Sequence, residues 1–135
     1  MFGKKPDAPG LGSRRIIAFV ATVDPVRAKA FYAGVLGLRL VTEDQFALVF
    51  DAAGTTLRVN VVPALTPAPY TVLGWIVPDL RAAVRELAAR AVVFQRFDGL
   101  VQDDDAIWAA PGGALVAWFR DPDGNTLSLT QRQIL

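Results

Sequence analysis

Two stretches of this chain start alike, each an apolar run that gives way to a helix-capping aspartate. Arg15–Val23 leads into Asp24-Pro25, and Thr71–Val77 leads into Asp79-Leu80. Aspartate caps a helix by accepting an orphan backbone N–H, and proline suits the first turn. Ala28, Phe31, Tyr32 and Val35 then follow at helical spacing up to Gly37, and Leu80, Ala83, Val84, Leu87 and Ala88 share one face after Asp79. In the first half, alternation predicts strands over Leu38–Thr42, Phe46–Phe50 and Thr56–Val62, with the Asp51-Ala52-Ala53-Gly54 turn between the last two. In the second, strands are expected near Val92–Gln95, Ala106–Ala110, Ala114–Arg120 and Thr126–Thr130. The capping aspartates stand 55 residues apart and the turn glycines Gly54 and Gly124 stand 70 apart. The chain thus reads as one strand–helix–strand–strand–strand unit written twice, an α+β pattern. The extra residues of the second copy fall in Arg96–Asp105.

Composition closes several routes to function. The chain has 135 residues, enough for one domain, and is 53% hydrophobic with a formal charge of +1. That balance gives no electrostatic basis for binding nucleic acid, and no apolar run is long enough to span a bilayer. Zero histidine and zero cysteine exclude disulfides, thiol chemistry, imidazole acid–base catalysis and any histidine-ligated zinc, copper or iron. The lack of cysteine fits a cytoplasmic protein. Residues 1–14, with Lys4, Lys5 and Arg14 among Gly and Pro, read as a flexible leader. The remainder divides into one domain over 15–131 (module one 15–63, linker 64–70, module two 71–131) and a tail over 132–135. Asp103-Asp104-Asp105 lacks calcium-loop spacing and reads as a solvated loop.

Near the C-terminus stands Phe119-Arg120-Asp121-Pro122-Asp123-Gly124-Asn125-Thr126-Leu127-Ser128-Leu129. Taken alone it is a tight turn between strands, with Pro and Gly setting the dihedrals and Asp and Asn bonding back to nearby backbone. Its wording resembles the "DPDGN" signature of the glyoxalase/bleomycin resistance/dioxygenase (vicinal oxygen chelate) superfamily. Asp24 with Phe31-Tyr32 and Val35-Leu36-Gly37-Leu38 resembles that family's first helix and its exit. Asp79-Leu80 through Leu87 resembles the second helix, with Ala91 where a glycine is usual. The resemblance spans Arg15 to about Gln131. It implies two βαβββ modules whose mixed sheets curl into one cup, and a homodimer.

The same resemblance implies four cup positions that commonly hold a metal: Ile17 and Val72 on the first strand of each module, Arg58 and Ser128 on the last. This quartet is no transition-metal ligand set, and the guanidinium puts a cation where a cation would bind. Metal and cofactor are therefore expected to be absent. Alternation turns Leu57, Val59, Leu127 and Leu129 towards the helices and Thr56, Arg58, Asn60, Thr126, Ser128 and Thr130 towards the cup. Such a polar row is either a solvated sheet face or a ligand surface. Arg58 offers a planar fork for a carboxylate or phosphate, or pairs with Asp51, Asp121 or Asp123. Phe19, Trp108 and Trp118 are candidate aromatic walls, while Trp75 has the parity of helix-side core. The expectation is a metal-free protein that binds a small anionic or aromatic molecule. The alternative is a lyase, dioxygenase or isomerase with non-standard residues, for which Tyr32, Tyr70 and Asp51 are the remaining acid–base groups.

Overall fold

A computed structural model of the protein describes residues 10–133. The elements run β1 (Ile17–Thr22), α1 (Pro25–Lys29), a π-helical continuation (Ala30–Val35), β2 (Arg39–Glu43), β3 (Ala47–Ala52), β4 (Thr55–Val61), β5 (Thr71–Ile76), α2 (Leu80–Ala89), β6 (Trp108–Ala109), β7 (Leu115–Arg120) and β8 (Thr126–Gln131). They form two four-stranded mixed sheets of the same order, β1-β4-β3-β2 and β5-β8-β7-β6, in which β1–β4 and β5–β8 are the parallel pairs. The doubled βαβββ pattern of the sequence is the architecture observed. Most of the leader, residues 1–9, and Ile134 and Leu135 of the tail lie outside the described residues.

Both helices start where an aspartate caps them: Asp24 accepts from Arg27 N at 3.2 Å and Asp79 from Ala82 N at 3.1 Å. The first helix departs from the α-helix expected up to Gly37. After Lys29 it widens, and Leu36 N donates to Phe31 O five residues back. The wider turn seats two consecutive rings against different partners. Phe31 meets Phe119 of the second sheet (6.3 Å between centroids), and Tyr32 meets Phe50 of the first (5.9 Å). Two expected strands shrink. Val92–Gln95 reduces to a single bridge between Phe94 and Phe119, and Ala106–Ala110 to the two residues of β6. The Arg96–Asp105 insertion interrupts the ladder there, so its backbone bonds close within the loop through Gln102, which accepts from Phe97 N and donates to Gln95 O and Ala106 O.

One core serves both halves. Leu57, Val59, Leu127 and Leu129 are buried in it beside Tyr32, Phe50, Leu80 and Phe119, as alternation requires. Trp75 stacks on Phe119 on this helix side, 6.5 Å away and 20° from parallel.

The Asp121–Asn125 turn clasps the halves together. Asp121 Oδ1 accepts from the backbone N of Asp123 and Asn125, and Oδ2 accepts from Asn125 Nδ2 (2.8 Å) and from the Tyr32 hydroxyl (2.7 Å). Asn125 Nδ2 also donates to Ala21 O, and Val23 N donates to Asp123, both at 2.9 Å. Gly124 holds φ +88°, a conformation that strains any other residue, and a Cβ there would crowd the Pro67 ring at 3.2 Å. Burial, reinforced by the Asp121 carboxylate, drives the Tyr32 pKa far above its ordinary value of 10.0. The folded state therefore keeps a proton that the unfolded chain loses above pH 10, so stability falls as pH rises past 10. The expected slope from this group is about 1.4 kcal/mol per pH unit. Denaturant titrations at stepped pH should show that slope in the wild type and a shallower one in Tyr32→Phe.

Candidate functional site

The faces of the two sheets turned away from the helices carry the residues that alternation assigned to the cup. On the first sheet, Phe19 lies across from Arg58 and Val49 beside it; Ile17 lies across from Thr56, and Ala21 from Asn60. Arg58 pairs with none of Asp51, Asp121 or Asp123. Its Nε donates to Asn60 Oδ1 at 2.9 Å, and its charge reaches Asp44. Asp44 is held below the usual carboxylate range first by the N–H groups of Phe46 and Ala47, with a smaller pull from Arg58. Asp51 instead faces Arg39 at 3.6 Å.

On the second sheet, Trp118 lies across from Ser128, Arg120 from Thr126, and Val116 from Thr130. Gly74 completes the Trp118–Ser128 row: a Cβ there would stand 2.5 Å from Ser128 Oγ, so a larger residue would force the Ser128 hydroxyl to turn away. Val72 departs from its expected place. Thr71 pairs with Thr126 and Leu73 with Leu127, so Val72 is the extra residue of a bulge, with no partner on β8. The slip separates it from the register of Ser128.

A cavity of about 700 Å³ opens over this second face. Trp118, Arg120 and Thr126 form its floor, the linker from Pro67 to Thr71 one wall, and Phe97 and Leu100 of the insertion another. Phe97 meets Trp118 edge-on at 5.3 Å, and Trp108 lies 6.0 Å from Trp118 at 35°. Tyr70 stands at the mouth, 67% exposed. Of the side chains expected from sequence, Trp118 and Thr126 line the cavity, Trp108 backs Trp118, and Ser128 adjoins it in register. Ile17, Phe19, Thr56, Arg58 and Asn60 occupy the first sheet and do not line it.

Arg120, Phe97 and Leu100 are lining side chains that sequence reasoning passed over, and Tyr70 entered it only as a candidate acid–base group. Arg120 was within reach, since it shares the parity of Trp118. Phe97 and Leu100 sit on an insertion with no period, and nothing in their order says which way the loop folds. Its position is fixed by ion pairs. Arg81 on α2 bonds Asp103 (2.7 Å) and Asp105 (2.6 Å), and Arg85 reaches Asp105 at 3.2 Å. Two of the three aspartates read as a solvated loop, Asp103 and Asp105, thus tie the cavity wall to a helix. The hydrogen bond from Arg81 leads in lowering the Asp103 pKa, so this tether is complete above about pH 4 and is lost as pH falls through the lowered value. Because exposed pairs contribute at most about 1 kcal/mol, Arg81→Ala should barely change stability. It should instead speed hydrogen exchange over residues 96–105, which mass spectrometry reads directly.

The four positions at which the family resemblance implied a metal offer two aliphatic chains, a guanidinium and a hydroxyl. Among the described residues no group of three or more His, Cys, Asp or Glu could hold a metal ion. The donor set does not fit a divalent transition metal. Tyr32 is also out of the cup, buried on the helix side and bonded to Asp121.

Comparison with known proteins agrees with this fold. No curated protein sequence matches the chain. A superfamily member from Sphaerobacter thermophilus DSM 20745 superposes with a TM-score of 0.71 at 24% identity, covering 89% of this chain and 98% of that one. A bleomycin resistance determinant encoded on the transposon Tn5 gives 0.70 at 21% identity, over 90% and 100% of the two chains. TnmS3, an antibiotic binding protein from Streptomyces sp. CB03234, gives 0.65 at 26% identity, over 90% and 97%. The family model of the Glyoxalase/Bleomycin resistance protein/Dioxygenase superfamily matches residues 15–129. With the doubled βαβββ sheets and the Asp121–Asn125 turn joining them, this match establishes that the chain belongs to that superfamily.

Proposed function

We propose that the protein binds a small, flat, partly aromatic anion in the cavity of the second sheet, without a metal, and acts by sequestration or sensing rather than turnover. The observation that carries this reading is the joint lining of that cavity by Trp118, Phe97 and Arg120. Stacking surfaces beside one guanidinium suit a conjugated ring system with a carboxylate, sulfonate or phosphate. The antibiotic-binding and bleomycin-resistance neighbours support the same class of role. Enolisation and ring-cleaving oxygen chemistry of the metal-dependent kind need a cation with open positions, and the residues at the four cup positions supply no ligands for one. Elemental analysis after mild purification should find far less than one zinc, nickel, iron or manganese per chain. A stoichiometric metal would overturn this reading.

The proposed working form is a homodimer. Its support is a run of exposed apolar side chains on β1 and β5, namely Ile17, Phe19, Val72 and Ile76, of which Phe19 is 54% and Ile76 61% exposed. Light scattering at high micromolar concentration should give twice the chain mass, and a monomer there would contradict it. Among the described residues no helix is long and apolar enough to cross a membrane.

A further inference from the structure

We infer that a second cavity, on the helix side of the molecule, binds a phosphate group. It measures about 360 Å³ and lies where α1 and its π-helical continuation meet the segment after α2 and the end of β7. Three arginines border it from three separate elements: Arg27 of α1, Arg90 after α2, and Arg120 of β7, which also borders the cup cavity. Arg90 is held in place, its Nη1 donating to Val35 O at 2.8 Å and its Nη2 to Glu86 Oε1 at 3.1 Å. The side chains of Arg27 and Arg120 make no ion pair with any described residue. Asp121 also lines the cavity, but its two oxygens already accept four hydrogen bonds, from Tyr32, Asp123 and twice from Asn125. Glu86 is engaged by Arg90. Three arginines thus stand against the Asp121 and Glu86 carboxylates, which leaves positive charge in excess, carried on planar forks that match a tetrahedral anion.

Phe31, Val35 and Val92 supply an apolar wall beside the arginines. A free phosphate would leave that wall bare, whereas the ester of a small apolar alcohol would cover it. The two sources are separable by experiment. Arg120 borders both cavities, whereas Arg27 and Arg90 do not line the cup cavity, so a variant at Arg27 tests this site apart from the ligand proposed there.

The experiment is calorimetric titration of the whole protein with inorganic phosphate and with butyl phosphate, at ionic strength matched with chloride. Wild type should bind at least one of them saturably, and Arg27→Gln should weaken that binding about tenfold. Arg39→Gln, which removes the same charge at the far edge of the first sheet, should leave it within twofold. Tighter binding of butyl phosphate assigns the site to a phosphomonoester, and tighter binding of inorganic phosphate assigns it to the free ion. No saturable binding of either probe, equal affinity in Arg27→Gln and wild type, or an equal loss in Arg39→Gln would each overturn the inference. Because the Arg27 side chain is exposed and makes no hydrogen bond or ion pair with any described residue, Arg27→Gln should keep the wild-type melting temperature, so a lost signal reports on binding.

Discussion

Asp121→Ala is expected to lower the free energy of unfolding by about 3–5 kcal/mol, several times the loss from breaking any of the exposed ion pairs. The carboxylate is buried, yet four donors converge on it, so its charge is balanced by hydrogen bonds rather than by a cation. Alanine would orphan the Tyr32 hydroxyl inside the core and the Asn125 backbone N–H at the seam, while the Asn125 side-chain amide would keep its bond to Ala21 O. A buried donor left without an acceptor costs about 1–3 kcal/mol, and here two are stranded at once. Tyr32→Phe removes only one charge-assisted bond and should cost about 1.5–3 kcal/mol. The clasp also joins the two halves, so the loss should be global. Urea unfolding followed by tryptophan fluorescence and by far-ultraviolet circular dichroism should give coincident midpoints, both lowered. Unchanged midpoints in Asp121→Ala would mean that the halves hold together without the turn.

The second large effect concerns binding. Arg120→Ala should weaken an aromatic anion by about ten- to hundredfold, the range for losing a bidentate charge-assisted contact of about 1.5–3 kcal/mol. Arg120→Lys should restore only part of this, because an ammonium lacks the fork. Arg58→Ala should leave affinity within about twofold, since the Arg58 guanidinium bonds Asn60 and faces Asp44 on the other sheet. This contrast separates the two arginines that strand parity alone would rank equally. Equal losses in both variants would move the ligand to the seam between the sheets, and a loss in Arg58→Ala alone would move it to the first.

Much of the fold was legible because its signals are local. Each capping aspartate, each turn glycine and the period-two strands act within a few residues, and the doubled order shows through. The widened first helix was not legible, because Phe31 and Tyr32 satisfy an α-helical spacing equally well until Phe119 and Phe50 supply partners on two different sheets. The bulge at Val72 was hidden for a similar reason: counting back from Asp79 assumes a regular strand. For the cavity, alternation found Trp118 and Thr126 but could not give the course of the insertion that carries Phe97. Nor could it show that Tyr32, 89 residues from Asp121 in sequence, closes the turn.

The three tryptophans offer the most direct test of where a ligand binds. Trp118 lines the cavity, Trp108 lies behind it, and Trp75 stacks on Phe119 on the opposite, helix-facing side. In a two-dimensional nitrogen–proton spectrum each indole N–H gives its own signal, assignable by single Trp→Phe variants. A panel of aromatic carboxylates, sulfonates and phosphates would be titrated in the presence of a metal chelator. The expected result is saturable movement of the Trp118 signal, with Trp108 following and Trp75 still. Movement of Trp75 alone, movement that requires an added divalent metal, or no saturable response to any member of the panel would contradict ligand binding in this cavity.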